Sequence, residues 1–592
     1  MKTRTIEFCR NIVTKFILSI KRFPEAILMA AAAVSVAIFL VHMKPYYDRE
    51  TEEMILRTVM VLALGVPVFL SIKVFFERVP ALKKRIRSAI YIAASAGLVL
   101  YYLFLLKDLE MVSVTRYIAV SIAFYFTFAS IPYYYRKENY ELYVIKLLTS
   151  FFTTYLYSLV LFAGLSAIIF TVKTLFTINI SEKIYLDIWL ITAGIFAPAF
   201  FLADIPKHGQ ELRVEDYPKA LKVLLLYIVL PLLLAYSAIL YAYFARIIIT
   251  REWPKGIVSN LVLWYSILST LIIFLIYPLR VNNRWSKAFT SFFPVLILPL
   301  LVMMFISMGK RVTAYGVTES RYFVILVGLW VTGAMLYFIF AKKPRNVVLA
   351  ASIAVISLLS VIGPWSCYSV SKYSQNLRFE SILDRNGMIQ NGTIVRPTGD
   401  LSAQDKREIS SIISYFNRYH SLKEIKYLPE GFRVDRMEDV FGFKPYEYSD
   451  IKKMEYFSYN TYETGTVMDI EGFDYFIDFY AYRHDNLKLE GPDGSKGAIS
   501  LNYDSQGRRF KIFSGDKEIY SGNLEDVAVK IHKERKEKQG GGTKQPVFAD
   551  ENDKVKVLYV FKHIHGSEDT TSGVIQINSA ECYLFIKLKT AE

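Results

Sequence analysis

The sequence predicts an α-helical polytopic membrane bundle of about eleven transmembrane helices followed by a C-terminal α+β soluble domain. Three observations carry this. First, 53% of the 592 residues are hydrophobic, high for a soluble protein. Second, the apolar residues come in long runs. Third, the charges are unevenly divided: residues 1–369 hold 38 Lys+Arg against 19 Asp+Glu, and residues 370–592 hold 32 against 35. All six tryptophans also precede residue 370. The basic excess therefore belongs to the membrane half, where loop charges orient helices. Without a basic, aromatic-interleaved patch in the tail, the net charge of +16 points to no nucleic-acid partner.

Phe292–Phe340 is the clearest stretch. Two apolar runs flank the polar segment Gly309–Arg321, and each is long enough, at about 1.5 Å per residue, to cross about 30 Å of hydrocarbon. By the same criterion eleven spans lie at about 25–42, 54–76, 87–106, 114–135, 148–172, 185–204, 222–246, 256–279, 288–308, 320–341 and 346–366. Met1–Pro24 is basic, and Thr5–Ile20 reads as an amphipathic helix on the inner membrane face. With the N-terminus inside, the inner segments hold 24 Lys+Arg and the outer loops before the tail hold 12. Glu77–Arg87, with five cations, is the most informative inner loop. An odd span count puts the tail outside. The domain division is then 1–24 as the N-terminal segment, 25–366 as the bundle and 367–592 as an extracytoplasmic α+β domain, with a possible linker at 533–545.

In the tail, the helical pattern after Ser371 stops at Asn386-Gly387. Ser402 with Asp405 forms a capping box for a helix over Ala403–His420. Strands are predicted at Gly472–Tyr482, Ala498–Tyr503, Phe510–Phe513, Val555–Phe561, Gly573–Ile577 and Cys582–Leu588, with a helix at Leu524–Lys536.

The hairpin carries a family resemblance. Phe293-Pro294, Leu298-Pro299-Leu300-Leu301, Arg311, Tyr315-Gly316, Thr318, Arg321-Tyr322 and Leu329-Trp330 resemble the pattern of the bacterial integral-membrane family labelled domain of unknown function 4153. The resemblance extends over most of the membrane part and into Ser374–Val395. It implies a bacterial cytoplasmic-membrane protein and brings no activity with it.

Candidate chemistry is sparse. The outer loop His42–Met54 holds Asp48, Glu50, Glu52 and Glu53. Asp48 and Glu50 are weak catalytic candidates for a transferase acting on a lipid-linked substrate, which needs a carboxylate beside a membrane-borne phosphate. A solvated acidic turn is the plainer reading of so short a loop. Arg57, Lys73, Arg116, Asp187, Asp204 and Arg321 lie within about two turns of span ends, where long side chains snorkel, and no acid sits mid-span. Pro67, Pro198, Pro231, Pro294 and Pro299 could break helices around a transport site or merely kink them. His563 and His565 would share one strand face without a third ligand, so no metal and no cofactor is expected. Cys9, Cys367 and Cys582 make no disulfide framework, although a Cys367–Cys582 bridge is conceivable.

The best binding candidates are Arg311, Tyr315, Glu319 and Arg321. If residues 312–322 are helical, Arg311, Tyr315 and Glu319 share one face, and Glu319 should meet Arg321, Arg57 or Arg116. As a clasp, this set fixes the ninth and tenth spans. As a site, it would fork an anionic headgroup. The favoured function is a non-enzymatic envelope protein whose outer domain senses or binds a ligand or partner. A carrier of a small or lipidic solute and a membrane transferase are the alternatives. The expected partners are membrane lipids, with an envelope protein or anionic lipid possible.

Overall fold

The computed structural model describes residues 14–43, 47–134, 139–207, 210–251, 257–397, 399–445, 454–460, 468–480, 487–490, 499–504, 509–537, 547–569 and 574–589. Cys9, His208, His484 and much of the 533–545 linker lie outside them. Two compact units divide between Phe443 and Lys444. Residues 367–443, grouped from sequence with the C-terminal domain, cluster with the bundle.

Among the described residues of the first unit, ten helices are long and apolar enough to span a membrane: α1 (Pro24–Met43), α2 (Arg49–Arg78), α3 (Lys84–Leu105), α4 (Met111–Tyr133), α5 (Tyr140–Leu175), α6 (Lys183–Ala203), α7 (Lys219–Thr250), α8 (Ser259–Val281), α9 (Arg284–Tyr315) and α10 (Glu319–Phe340). Each matches an expected span. Their outward surfaces are apolar: Phe152, Val160, Ile168 and Phe170 of α5 are all exposed. Only hydrocarbon makes such a surface favourable, because the backbone groups are already paired within the helices. The multi-pass membrane character follows.

The eleventh expected span contains only a thirteen-residue helix, α11 (Val347–Leu359), about 20 Å long at the helical rise. The segment nevertheless runs between both ends of the bundle. At its start Asn346 donates its side-chain amide to Glu141, at the head of α5. At its end Trp365 accepts from Tyr322 at the head of α10, and Tyr368 donates to the Val112 carbonyl at the head of α4. Turns over 360–366 lead from α11 to these last contacts.

Two faces can be named from such contacts. On the first face Arg22 forks Glu77 at 2.9 and 2.8 Å and donates to the Ile205 and Pro206 carbonyls, while Lys15 pairs with Asp204. Residues 14–22, which overlap the surface helix expected over Thr5–Ile20, are helical there. On the second face His42 meets Asp187 at 2.8 Å, and Arg57 donates to the Leu106 carbonyl at 2.6 Å.

The prolines do not break the spans. Pro198 and Pro231 each follow a stretch of wider π turns, Thr192–Phe196 and Leu224–Val229. These absorb the missing N–H and the ring's bulk. Pro67, Pro294 and Pro299 lie inside continuous helices.

Beyond the spans, α12 (Cys367–Arg385) begins at Ser366, whose hydroxyl caps it, and stops at Asn386 before Gly387, with φ +64°. The short strands β1 (Ile389–Gln390) and β2 (Thr393–Ile394) pair next. Then α13 (Ala403–Tyr419) begins with Ser402 accepting from the Asp405 N–H at 3.0 Å. A small core of Phe379, Leu383, Ile409, Ile413, Phe416 and Phe441 joins α12, α13 and α14 (Met437–Phe441).

The second unit is α+β. One sheet orders β3 (Met454–Asn460), β10 (Val555–Asp569), β11 (Ile575–Leu588) and β4 (Tyr475–Tyr480), with β9 (Val547–Glu551) also on β10. The closing strands expected at 573–577 and 582–588 are one strand. A meander of β5 (Leu487–Glu490), β6 (Ile499–Asp504), β7 (Arg509–Ser514) and β8 (Lys517–Asn523) forms the other sheet. In β6 and β7, Leu501, Tyr503, Phe510 and Ile512 are buried and alternate with more open positions, the half-buried strand pattern. Gly515, at φ +60°, opens the two-residue β7–β8 turn, as a primed hairpin turn requires. Helix α15 (Leu524–Glu537) contributes Val527, Ala528 and Ile531 to a core shared with β10 and β11.

Candidate functional site

The site grows from the break between α9 and α10. The condition for a shared face, a helix over 312–322, is not met: α9 ends at Tyr315 and α10 begins at Glu319. Gly316 is the reason. It sits at φ +67°, and a Cβ there would come within 2.8 Å of Gln375 Nε2. Only glycine meets both demands without strain.

The turn is held from two sides. Arg321 donates through Nη1 to the Tyr315 and Gly316 carbonyls at 3.1 and 2.7 Å, with its guanidinium over the Tyr315 ring at 5.6 Å. From α12, Ser374 Oγ accepts from the Val317 N–H at 2.8 Å. Gln375 Nε2 donates to the Tyr315 and Val317 carbonyls. Arg378 reaches the Tyr315 carbonyl and pairs with Glu408 at 3.2 Å. The donors among these satisfy the Tyr315 carbonyl, the last of α9, and the Gly316 and Val317 carbonyls just beyond it, which have no helical partners. Arg311 lies one turn back on α9, and its charge and that of Arg378 act on Arg321.

The break turns Glu319 inward. Its Oε1 accepts from Tyr415 Oη at 2.6 Å and lies 2.8 Å from His420 Nε2, and Tyr415 Oη is 2.9 Å from the same imidazole nitrogen. The Glu319 and His420 side chains are only 9% and 3% exposed. Glu319 therefore meets α13 and its C-cap rather than the expected arginine. Arg57 and Arg116 serve the carbonyls of Leu106 and Leu105 instead. Burial, followed by the Glu319 carboxylate, holds the Tyr415 hydroxyl far above the ordinary tyrosine range, so it stays a donor. Burial also pushes the neighbouring Cys367 thiol up to about 12, with Glu319 adding to it. A thiol so protonated is no nucleophile. Cys367 and Cys582 are both free and buried.

His420 also lines a groove of about 800 Å³ with Asn417, Ser421, Lys423, Glu430 and Phe432. Its walls mix charges, amides and apolar side chains, so it can take a ligand with polar and apolar parts.

The acidic stretch at the start of α2 has structural tasks. Asp48 is the N-cap of α2, accepting from the Thr51 N–H at 3.1 Å; the Thr51 hydroxyl, followed by that backbone bond, holds its carboxyl below the usual range. Glu53 accepts from the Leu109 N–H at 3.0 Å. Glu50 is exposed in the first turn of α2. In the second unit the His563 and His565 rings stack at 6.3 Å on one strand face. Among the described residues no three His, Cys, Asp or Glu side chains group as metal ligands.

The sequence profile of a family described as "domain of unknown function (DUF4153)" matches residues 27–388, nearly all of the bundle and the whole of α12. The chain belongs to this family. The match includes the hairpin turn and the α12 residues that clasp it. An uncharacterised protein of Pasteurella multocida (strain Pm70), PM1469, is 25% identical over 256 residues, 43% of this chain and 43% of that protein. The chain thus aligns with less than half the length of that relative. No solved structure matches the chain.

Proposed function

We propose that this is a non-enzymatic protein of the bacterial cytoplasmic membrane, with its N-terminus inside and the residues after α11 outside. In this reading, the layer of α12 and α13 binds a ligand in the His420 groove and passes its occupancy to the bundle. One observation carries the proposal: His420 both lines the groove and touches Glu319, the first residue of span α10. A change at the groove therefore reaches a membrane helix through one buried contact, which gives a coupling between sites its physical route. The protonated Cys367 thiol and the capping use of Asp48 supply no acid, base or nucleophile for a transferase. The test is hydrogen exchange at residues 319–326 in full-length protein in lipid nanodiscs. A bulky maleimide on Lys423→Cys is expected to change their protection, and Glu319→Gln is expected to abolish that response. Unchanged protection on labelling would overturn the coupling.

A further inference from the structure

Between α4, α5, α8, α10 and α11 lies a cavity of about 300 Å³, walled mainly by Phe126, Val144, Leu271, Phe274, Trp330 and Ile353. The polar groups at its edge are occupied: the Thr270 hydroxyl donates to the Ser266 carbonyl at 2.7 Å and the Trp330 indole N–H to Ser352 at 3.0 Å. Nothing in the lining calls for water, since a buried water needs two to four polar partners. Close-packed interiors do not leave such a space open, and its surroundings are hydrocarbon.

The cavity occupies one leaflet. Tyr140, at its rim, opens α5, and Leu349 and Ala350 lie in the first turn of α11. Phe274 is near the end of α8. All of these are at the first face. Cations lie on α8 and in the link between α10 and α11, next to the lining residues in sequence. Arg280 follows Phe274 by six residues and lies over the Tyr277 ring at 4.8 Å. Arg345 precedes Leu349 by four residues and is exposed beside exposed Lys342 and Lys343. Among the described residues, no carboxylate forms an ion pair with Arg280, Lys342, Lys343 or Arg345. The acid nearby, Glu141, is buried and occupied by Asn346.

We propose that the cavity and these cations form one site for an anionic phospholipid, with an acyl chain between the helices and the phosphate on Arg280 and Arg345. Guanidinium forks suit phosphate oxygens, and a basic rim over an intramembrane apolar slot is the arrangement that selects anionic lipids. The site is separate from the His420 groove and stands or falls independently of it.

The experiment is native mass spectrometry of the full chain released from nanodiscs of phosphatidylethanolamine and phosphatidylglycerol. Wild type is expected to retain one phosphatidylglycerol. Ala350→Trp fills the cavity from α11 and Val144→Phe fills it from α5. Whichever of the two keeps the wild-type circular dichroism spectrum should lose the retained lipid. Arg280→Gln with Arg345→Gln should weaken phosphatidylglycerol about tenfold, the loss expected for removing charge-assisted hydrogen bonds, and leave phosphatidylethanolamine unchanged. Undiminished lipid in the folded filled variants would overturn the tail site. An unaltered lipid preference in the double arginine variant would overturn the headgroup site. Displacement of the lipid by millimolar inorganic phosphate would show a phosphate site without an acyl component and overturn the proposal.

Discussion

Tyr415 Oη donates to Glu319 Oε1 at 2.6 Å across 96 residues of sequence. The bond ties the first residue of a membrane span to a helix of the layer beyond it. Because the carboxylate is buried, removing one donor leaves charge partly unsatisfied, a loss of about 1–3 kcal/mol. Tyr415→Phe is therefore expected to lower the melting temperature in detergent, and Glu319→Gln to do the same. The double variant should lose less than the sum, with a coupling of about 0.5–3 kcal/mol. Strict additivity in the melts would show that the two side chains do not act together.

The turn ahead of Glu319 makes a second expectation. Arg321 spends its Nη1 on two carbonyls of the turn, so Arg321→Gln should reduce expression and cost about 2 kcal/mol, in the range for hydrogen bonds from a charged donor. Gly316→Ala should be as harmful, because it combines a positive φ with a clash at Gln375. Thermal unfolding followed by tryptophan fluorescence checks both. Normal stability of Arg321→Gln with loss of bound lipid would instead favour a headgroup role for that arginine.

What the sequence made legible follows the range of the interaction. The apolar runs located ten long spans, and Ser402 and Asn386-Gly387 marked helix ends, because those signals lie within a few residues of the feature they control. Tyr315 and Arg321 both stood in the candidate set, but their contact across the turn is not one that helical spacing suggests. Glu319's partners were missed. Tyr415 and His420 are 96 and 101 residues away, and helical spacing says nothing about side chains that meet only after α12 and α13 pack. The signal that was available was Gly316: taken as a helix stop, it would have separated Glu319 from the face of Arg311. The clasp from Ser374, Gln375 and Arg378 was equally hidden, although those residues begin the stretch after the membrane where the family resemblance continues.

The acidic stretch at the start of α2 gives a third test. Asp48 caps α2 through the Thr51 N–H. Asp48→Ala should cost about 1 kcal/mol, as loss of a cap does, whereas Asp48→Asn should be nearly silent because asparagine caps as well. A catalytic carboxylate would show the opposite ranking, with Asn as damaging as Ala in any assay of cellular function. Comparing the two variants for melting temperature and for complementation of a deletion strain separates these roles.

In the second unit, hydrogen bonds from Lys536 and then His532 hold the Glu568 carboxyl below its ordinary 4.5. A depressed folded-state value means that the unfolded chain takes up the proton first as pH falls. The stabilisation is thus complete above about 4.5 and disappears as pH drops through the lower folded value. Residues 444–592 have their own core and are expected to be soluble alone. Their urea midpoint should fall on acidification below pH 5, and Glu568→Gln should flatten that fall while lowering the midpoint at neutral pH. An unchanged acid limb in the variant would remove Glu568 from the cause.

The short helix α11 supplies the last expectation. Its thirteen residues fall short of the roughly twenty that a membrane crossing needs. Yet Asn346 sits with Glu141 at one end of the bundle, and Trp365 and Tyr368 sit with Tyr322 and Val112 at the other. If the turns over 360–366 complete the passage, the chain crosses eleven times and its two ends face opposite compartments. The basic Glu77–Arg87 loop then lies inside. A phosphatase reporter fused after Lys84 or after Lys343 should be inactive, and one fused after Lys372 should be active outside the cell membrane. The Lys343 and Lys372 fusions isolate the passage through α11, since only α11 and its flanking turns lie between them. Equal activity in that pair would mean that residues 346–366 return to the face they left. The bundle would then have ten crossings, and α12, α13 and the His420 groove would lie on the same side as the N-terminus.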